Sequence, residues 1–299
     1  MPLLKLDGKG ASPYIGVLIA VVSVSFASIF IVWSDADPLV IAAYRMLFAA
    51  LFLLPMAMGP RREHLRSLPK RHWYVLMGIG IVLALHFYTF NASLTLTTVA
   101  ASTLLVTAHP LIIGLVSVFY LKETDKKAMI GMVLGFLGIV LVSLSGLGES
   151  GLEGNILALI GCVLAAVFIV GGRVMRQVVD IIPYAFIVYS AATLFLFASC
   201  FVMSVPVLPI SENDLVLFLL LAGVSTIFGH TMYNWSLRYV TASFVSISLL
   251  GEPMIASLLA IIFLGQVPSP MLVVSGAMLL LGVMIVAKYE VKIGEKNGT

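Results

Sequence analysis

Long apolar runs divide this chain, and almost all of its cations lie in alternate connections between them. An α-helix needs about 20 apolar residues to cross a hydrocarbon core ~30 Å thick, and runs of about that length recur ten times. They span residues 14–33, 38–58, 73–92, 98–120, 126–146, 154–172, 181–203, 213–235, 240–264 and 268–288. The runs are continuously apolar rather than alternating with a period of two, which excludes a β-barrel. The sequence therefore predicts an all-α integral membrane protein with ten transmembrane helices.

The charges of the connections predict how the chain lies in the membrane. Sixteen of the 17 lysines and arginines fall in the termini or after the even-numbered runs. The connections after the odd-numbered runs carry only acids, among them Asp35, Asp37 and Glu149. Because cationic connections stay in the cytoplasm, both termini are predicted to be cytoplasmic. The basic cluster at 61–71 is interpreted in the same way, with contact to anionic lipid as the alternative.

The composition excludes several other classes of protein. Hydrophobic residues make up 61% of the chain and charged residues 10%, which leaves too few polar groups to cover a soluble globule. The sequence shows no phosphate-binding glycine loop, no metal-ligand cluster and no nucleophile–base spacing. We therefore expect no enzyme activity, no cofactor and no metal. The net charge of +3 is explained by topology, so no nucleic-acid partner is expected.

The two halves of the chain repeat one another. Residues 91–110 and 234–253 align without a gap, and both segments begin with asparagine and end with proline. The repeat predicts two five-helix units, at 1–147 and 148–299. Because five is odd, the second unit starts on the opposite side of the membrane, so the two units are inverted. Inverted repeats with a site between them are the usual construction of secondary transporters.

Three segments carry a family resemblance. They are AAYRMLFAALFLLP at 42–55, SLTLTTVAASTLLVTAHPLIIGLVSVFYLKE at 93–123 and SLRYVTASFVSISLLGEPMIASLLAIIFLGQ at 236–266. The chain resembles the drug/metabolite transporter superfamily, specifically its ten-span EamA type. The resemblance implies transport of a small solute such as an amino acid, a drug or another metabolite, and it favours export. Two positions depart from the family pattern: Gln266 replaces an acidic residue, and Arg45 has no counterpart in the second half.

Glu252 and His109 precede the prolines of the repeated segments, near the middle of runs 9 and 4. A charge at the bilayer centre costs about 2.5–3.5 kcal/mol on insertion scales, so Glu252 is expected to face the interior of the bundle. It would carry a proton or bind a cation, or it would be a structural glutamate at a turn distorted by proline. His109 would exchange protons or form neutral hydrogen bonds, with packing as the alternative. A twofold relation between the halves would bring the two residues together.

Arg45 is the one lysine or arginine in the interior of a predicted span. Three roles stay open for it. The side chain could extend to the outer surface, pair with an acid such as Glu252 or an outer aspartate, or hold a carboxylate of the substrate by two hydrogen bonds.

The remaining candidates are weaker. His86 and His230 each have a tyrosine and an asparagine close by on the same helix. The aromatic and amide side chains proposed to shape the cavity are Tyr88, Asn91, Asn234, Tyr44 and Trp33. The aromatic residues could equally pack against other helices or lipid, and the two asparagines could cap or bridge helices near the membrane surface.

The preferred hypothesis is a secondary carrier in a bacterial or archaeal plasma membrane that works by alternating access. Its partners would be a small solute, protons if transport is coupled to them, and membrane lipids. Runs 5 and 10 would support the cavity or form the surface of a homodimer. The alternatives are an uncoupled facilitator or exchanger, a membrane enzyme, and a scaffold that transports nothing.

Overall fold

The computed structural model describes residues 12–112, 126–145, 151–240 and 248–296, and every regular element in these ranges is helical. Ten apolar helices follow one another in the described ranges. They are α1 (Pro13–Val32), α2 (Pro38–Met58), α3 (Lys70–Leu94), α4 (Val99–Ile112), α5 (Lys126–Ser145), α6 (Leu152–Met175), α7 (Ile181–Val202), α8 (Glu212–Ser236), α9 (Gly251–Leu264) and α10 (Pro270–Lys296). A short helix, Arg62–Ser67, lies between α2 and α3.

Six of these helices are long and apolar enough to cross a membrane: α1, α2, α3, α6, α7 and α8. The apolar parts of α4, α5, α9 and α10 are shorter, at 10–17 residues, and occupy the positions of predicted spans 4, 5, 9 and 10. Residues 113–120 of span 4 and 241–247 of span 9 lie outside the described residues. The chain is thus an all-helical, multi-pass membrane protein with six clear spans. The count of ten spans and the cytoplasmic placement of the termini stay predictions.

The connections between helices meet at two opposite ends of the bundle. At one end, Ser34 after α1 donates a hydrogen bond of 2.5 Å to the carboxylate of Asp214 at the start of α8. At the same end, the amide of Gly151 before α6 donates to the carbonyl of Leu96 after α3, at 2.8 Å. The connections that follow the even-numbered helices α2, α6 and α8 meet elsewhere, at an end that we call the cationic end.

An ionic cluster around Asp180 joins the two halves at the cationic end. The Asp180 carboxylate lies 2.7 Å from Arg238 Nη1, 3.3 Å from Arg61 Nη1 and 3.4 Å from His64 Nδ1. Burial raises the pKa of Asp180, but the hydrogen bond from Arg238 and the neighbouring His64 and Arg61 outweigh it, so the pKa lies below its ordinary value. Arg61 and His64 belong to the first half of the chain, and Asp180 and Arg238 to the second.

Two further arginines at this end are structural. The sequence places Arg173 and Arg176 in a connection, but α6 continues to Met175, and Arg176 is only 1% exposed. Arg176 donates from Nε to the carbonyl of Asn234 at 3.2 Å and from Nη1 to the carbonyl of Val179. Arg173 donates to two backbone carbonyls beyond the end of α8, at 2.6 and 2.7 Å. Both cations therefore satisfy backbone carbonyl groups at or beyond the C-terminal ends of α6 and α8.

The packing of the helices has the symmetry that the repeat predicts. Helix α2 packs on α7, α4 on α9 and α5 on α10, while α1 packs on α8 and α3 on α6. A twofold rotation that exchanges each helix with the one five places later maps the pairs α2–α7, α4–α9 and α5–α10 onto themselves. The same rotation maps the pair α1–α8 onto the pair α3–α6. The boundaries of the units, 1–147 and 148–299, stay a prediction.

Small residues allow α5 and α10 to touch through their backbones. A Cβ atom on Gly282 of α10 would lie 2.3 Å from the backbone nitrogen of Gly135 in α5. Close approach of this kind is typical of helix pairs in membranes. Near the end of α9, the Gln266 carboxamide oxygen accepts a hydrogen bond of 3.1 Å from the amide of Val99, the first residue of α4. The residue that departs from the family pattern thus connects α9 to the start of α4.

Candidate binding site

A cavity lies between the two halves, about halfway along the helices. Its wall is built from α1, α2, α3 and α4 of the first half and from α6, α8 and α9 of the second, together with Leu249 just before α9. About 50 Å³ of it is open to the centres of water molecules, which is room for roughly three waters. Among the wall residues are five of the ionisable residues singled out in the sequence: Arg45, His86, His109, His230 and Glu252.

Arg45 enters the cavity from α2 and is fully enclosed, at 1% exposure. Its Nε donates a hydrogen bond of 2.8 Å to Thr226 Oγ1 of α8. Its guanidinium carbon lies 3.9 Å from the centre of the Phe87 ring, a cation–π contact. Nη1 and Nη2 have no hydrogen-bond partner. The side chain therefore does not extend to the surface, and it presents two unused donor groups inside the bundle.

Glu252 is held at the start of α9, and its carboxylate borders the same cavity as Arg45. Its amide donates to the carbonyl of Leu249 at 2.9 Å, while the next residue, Pro253, has no N–H to donate. The ion pairs of the described residues within 4.0 Å all involve Asp180, so Arg45 and Glu252 are not in direct contact. The cavity wall therefore carries a buried cation and a carboxyl group that do not form an ion pair.

His109 reaches the cavity from a distorted part of α4. The helix is interrupted by a turn at residues 107–108, where the amides of Ala108 and Leu111 donate to carbonyls only three residues back. Pro110 lacks an amide hydrogen and so contributes to this distortion. His109 is 4% exposed, and its Nδ1 has no partner. As the repeat predicts, His109 and Glu252 lie on the wall of the same cavity.

His86 is oriented by a backbone contact between helices. Its Nδ1 lies 2.9 Å from the carbonyl oxygen of Gly161 in α6. A carbonyl oxygen only accepts hydrogen bonds, so Nδ1 carries the proton in this arrangement. The ring stacks on Phe90, with the two planes 4° apart and their centres 6.4 Å apart. Nε2 is therefore the nitrogen left to exchange a proton or bind a ligand.

A π-helical segment, Leu221–Thr231, shapes the α8 side of the cavity. Within it, the hydroxyls of Thr226 and Thr231 donate to carbonyls five residues back, at 2.9 and 3.1 Å. The segment presents Thr226 to Arg45 and places His230 4.9 Å from Phe87, measured between ring centres. His230 Nδ1 lies 3.2 Å from the Tyr233 hydroxyl. Segments of this kind occur frequently at functional sites.

The other five candidates lie outside the cavity wall, and their predicted roles in binding stay predictions. Tyr44 donates to the carbonyl of Val207 at 3.1 Å, and Trp33 is 42% exposed and packs edge-on against Phe263. Tyr88 is half-buried against the core.

The two asparagines connect backbone groups. Asn91 Nδ2 donates to the carbonyl of Pro38 in α2 at 3.1 Å, so this side chain bridges two helices. Asn234 Nδ2 donates to the carbonyl of His230 in its own helix, at 2.7 Å.

Two wall residues, Phe87 and Phe168, and Thr226, which contacts the wall residue Arg45, were not identified from the sequence. Phe87 supports Arg45, Phe168 packs 6.3 Å from His230 between ring centres, and Thr226 accepts from Arg45. A threonine in an apolar run is not a distinctive signal, because many such hydroxyls bond to their own helix. The described residues contain no group of three or more His, Cys, Asp or Glu side chains that could hold a metal ion.

Comparison with known proteins agrees with this architecture. The family model of the EamA-like transporter family matches residues 11–144 and again residues 152–288. A protein of known crystal structure is similar to this chain with a TM-score of 0.65 and 19% sequence identity, over 94% of this chain and 98% of that chain. At that identity the likeness shows the fold alone. No curated protein matches the chain.

Proposed function

We propose that this chain, which belongs to the EamA-like transporter family, is a secondary transporter that moves one small solute by alternating access. Membership of the family makes it a membrane transporter of small solutes. The finer proposal adds a solute site in the central cavity, export as the direction, and a bacterial or archaeal plasma membrane as the location. Amino acids and drug-like molecules are the solute classes to test.

One observation carries the proposal: a cavity between two repeated halves holds a buried guanidinium with two unpartnered nitrogens. Buried charged groups are costly unless they are paired, and inside membranes they are usually part of a path for substrates or ions. A solute with a carboxylate would provide two hydrogen bonds to Nη1 and Nη2 of Arg45. Glu252, on the same cavity but not paired with Arg45, would receive a cationic or protonated group.

Contacts between the two halves at both ends of the bundle support alternating access. Room for roughly three waters is too little for an amino acid, so the proposed solute site would have to widen before a solute binds. The Asp180 cluster closes the cationic end by joining the first half of the chain to the second. The contact between Ser34 and Asp214 joins the halves at the other end. We propose that these two sets of contacts break in turn while the solute site stays between the halves.

Coupling to protons would use Glu252 and His109. A carboxyl group and an imidazole on one cavity can each gain or lose a proton as the cavity is hydrated from one side or the other. His86 and His230 line the same cavity, with 6.4 Å between the centres of their rings, and would respond to that change. Uncoupled facilitation or exchange is the alternative if Glu252 is only structural.

The test is flux in proteoliposomes with an imposed pH gradient, using pools of radiolabelled amino acids and of cationic drugs. The wild type is compared with Glu252→Gln and with Glu153→Gln, a control at an exposed glutamate in the first turn of α6. We expect gradient-driven flux to be lost in Glu252→Gln and retained in Glu153→Gln. Flux that is independent of both the gradient and Glu252 would favour a facilitator. Absence of flux for every pool would favour a scaffold and count against the proposal.

A further inference from the structure

A groove at the cationic end combines apolar walls with two arginines. It lies beside the last residue of α2 and the first turn of α3, and its volume is about 450 Å³. Its walls are Met58, Arg62, Leu65, Arg66, Trp73 and Phe186. Met58 is the last residue of α2, and Trp73 lies in the first turn of α3. The groove is therefore at the level where a membrane helix leaves the hydrocarbon and meets the lipid headgroups.

The two arginines are placed side by side on this groove. Arg62 and Arg66 are four residues apart on the short helix Arg62–Ser67, so both lie on one face of it. Leu65, at 5% exposure, anchors the short helix in the core. This anchoring fixes the position of both cations relative to the apolar walls.

Arg62 and Arg66 differ in their ion pairing from the neighbouring cations of the same connection. Arg61 and His64, on either side of Arg62, point to Asp180, as described above. In the part of the chain that the structure describes, Arg62 and Arg66 have no acidic group within 4.0 Å. The positive-inside rule explains why cations occur in this connection, but it does not explain why two of them border an apolar groove.

We propose that this groove binds an anionic phospholipid of the leaflet at the cationic end. The two guanidinium groups would hold the lipid phosphate, because arginine forms paired hydrogen bonds to phosphate oxygens. Met58, Trp73 and Phe186 would contact the first part of an acyl chain. Phe186 belongs to α7, so the lipid bridges α2, α3 and α7 and connects the two halves of the bundle. The proposal is independent of the solute.

The experiment measures lipid binding to the purified full chain in detergent, with a fluorescent phosphatidylglycerol as probe and phosphatidylcholine as the zwitterionic reference. Arg62→Gln/Arg66→Gln is compared with Lys70→Gln/Arg71→Gln, which removes the same charge from the start of α3, a few residues along the chain, but lies outside the groove. We expect the first variant to weaken binding of phosphatidylglycerol by about 30-fold, from the usual contribution of two surface cations. The control should weaken it only slightly. Phe186→Ala should weaken both lipids without changing their ratio.

Other results would overturn the proposal. Equal losses in the two double variants would mean that the connection attracts anionic lipid only by its total charge. No loss in either variant would remove the arginines from the site. Displacement of the lipid by millimolar inorganic phosphate, with no effect of Phe186→Ala, would indicate a phosphate site rather than a lipid site. Monodisperse elution of every variant in size-exclusion chromatography checks that each is folded.

Discussion

Arg45 and Arg176 are both buried, at 1% exposure, but they differ in how many of their nitrogens have a hydrogen-bond partner. Arg176 donates from two nitrogens to backbone carbonyls, whereas two nitrogens of Arg45 have no partner. Methionine is long, flexible and neutral. Replacing each arginine by methionine therefore distinguishes an arginine that stabilises the fold from one that serves to bind the solute. We expect Arg176→Met to be strongly destabilising and Arg45→Met to be nearly neutral.

The magnitudes follow from the contacts. Hydrogen bonds from charged groups contribute about 1.5–3 kcal/mol each, so Arg176→Met should cost roughly 3–6 kcal/mol. Arg45 gains one such bond from Thr226 and a cation–π contact of about 2 kcal/mol with Phe87. Against these gains, two buried donors without partners cost about 1–3 kcal/mol each. The terms for Arg45 nearly cancel, and exchange of buried charges for apolar groups is often neutral or stabilising.

The assay is thermal unfolding of the purified variants in one detergent, followed by intrinsic tryptophan fluorescence. At roughly 2 °C per kcal/mol for a chain of this size, Arg176→Met should lower the Tm by about 6–12 °C. Arg45→Met should stay within about 4 °C of the wild type and lose solute flux. A loss of Tm in Arg45→Met as large as that in Arg176→Met would refute the reasoning. Arg45 would then be a structural residue, and its role in the proposed solute site would have to be withdrawn.

Two further predictions concern the packing of the bundle. Asp180→Asn should lower the Tm at pH 7, because it removes the carboxylate that three basic side chains share. Since the pKa of Asp180 is lowered in the folded protein, the carboxylate stabilises the fold above the ordinary aspartate pKa and loses this effect as the pH falls below it. Melting curves of both proteins over a pH series should therefore converge in acid, and a constant difference would contradict this. Gly282→Ala should destabilise the α5–α10 pair by about 1–3 kcal/mol, because its Cβ would collide with the backbone of Gly135. Gly78→Ala, where a Cβ meets no atom within 4 Å, is the control and should be neutral or stabilising in the same melting assay.

Much of the fold could be predicted from the sequence because its signals are local. An apolar run of about 20 residues has to be helical in lipid, where each backbone N–H and C=O needs a partner within its own segment. The internal repeat adds one long-range relation, since a twofold axis between the halves brings His109 and Glu252 to the same cavity. These two residues were thus placed by symmetry alone.

The tertiary structure decided which side chains of the predicted helices meet. The sequence shows Arg45 inside a span but left its extension to the surface, its pairing with an acid and its binding of a ligand open. The structure places it against Thr226 and Phe87, and Thr226 lies in the π-helical segment of α8. Asn91 and Tyr44, which the sequence grouped with the cavity, contact backbone carbonyls in this structure, and their roles in binding stay predictions.

The physical reason is that some features are local in the sequence and others are not. Hydrophobic runs, charged connections and repeated segments can be identified along one chain, because the membrane selects the first two and the twofold symmetry follows from the third. The direction of a buried side chain depends on helix rotation and on the spacing between helices, which close contacts such as that of Gly282 with Gly135 determine. Those contacts join residues far apart in the sequence, and only the packed bundle brings them together.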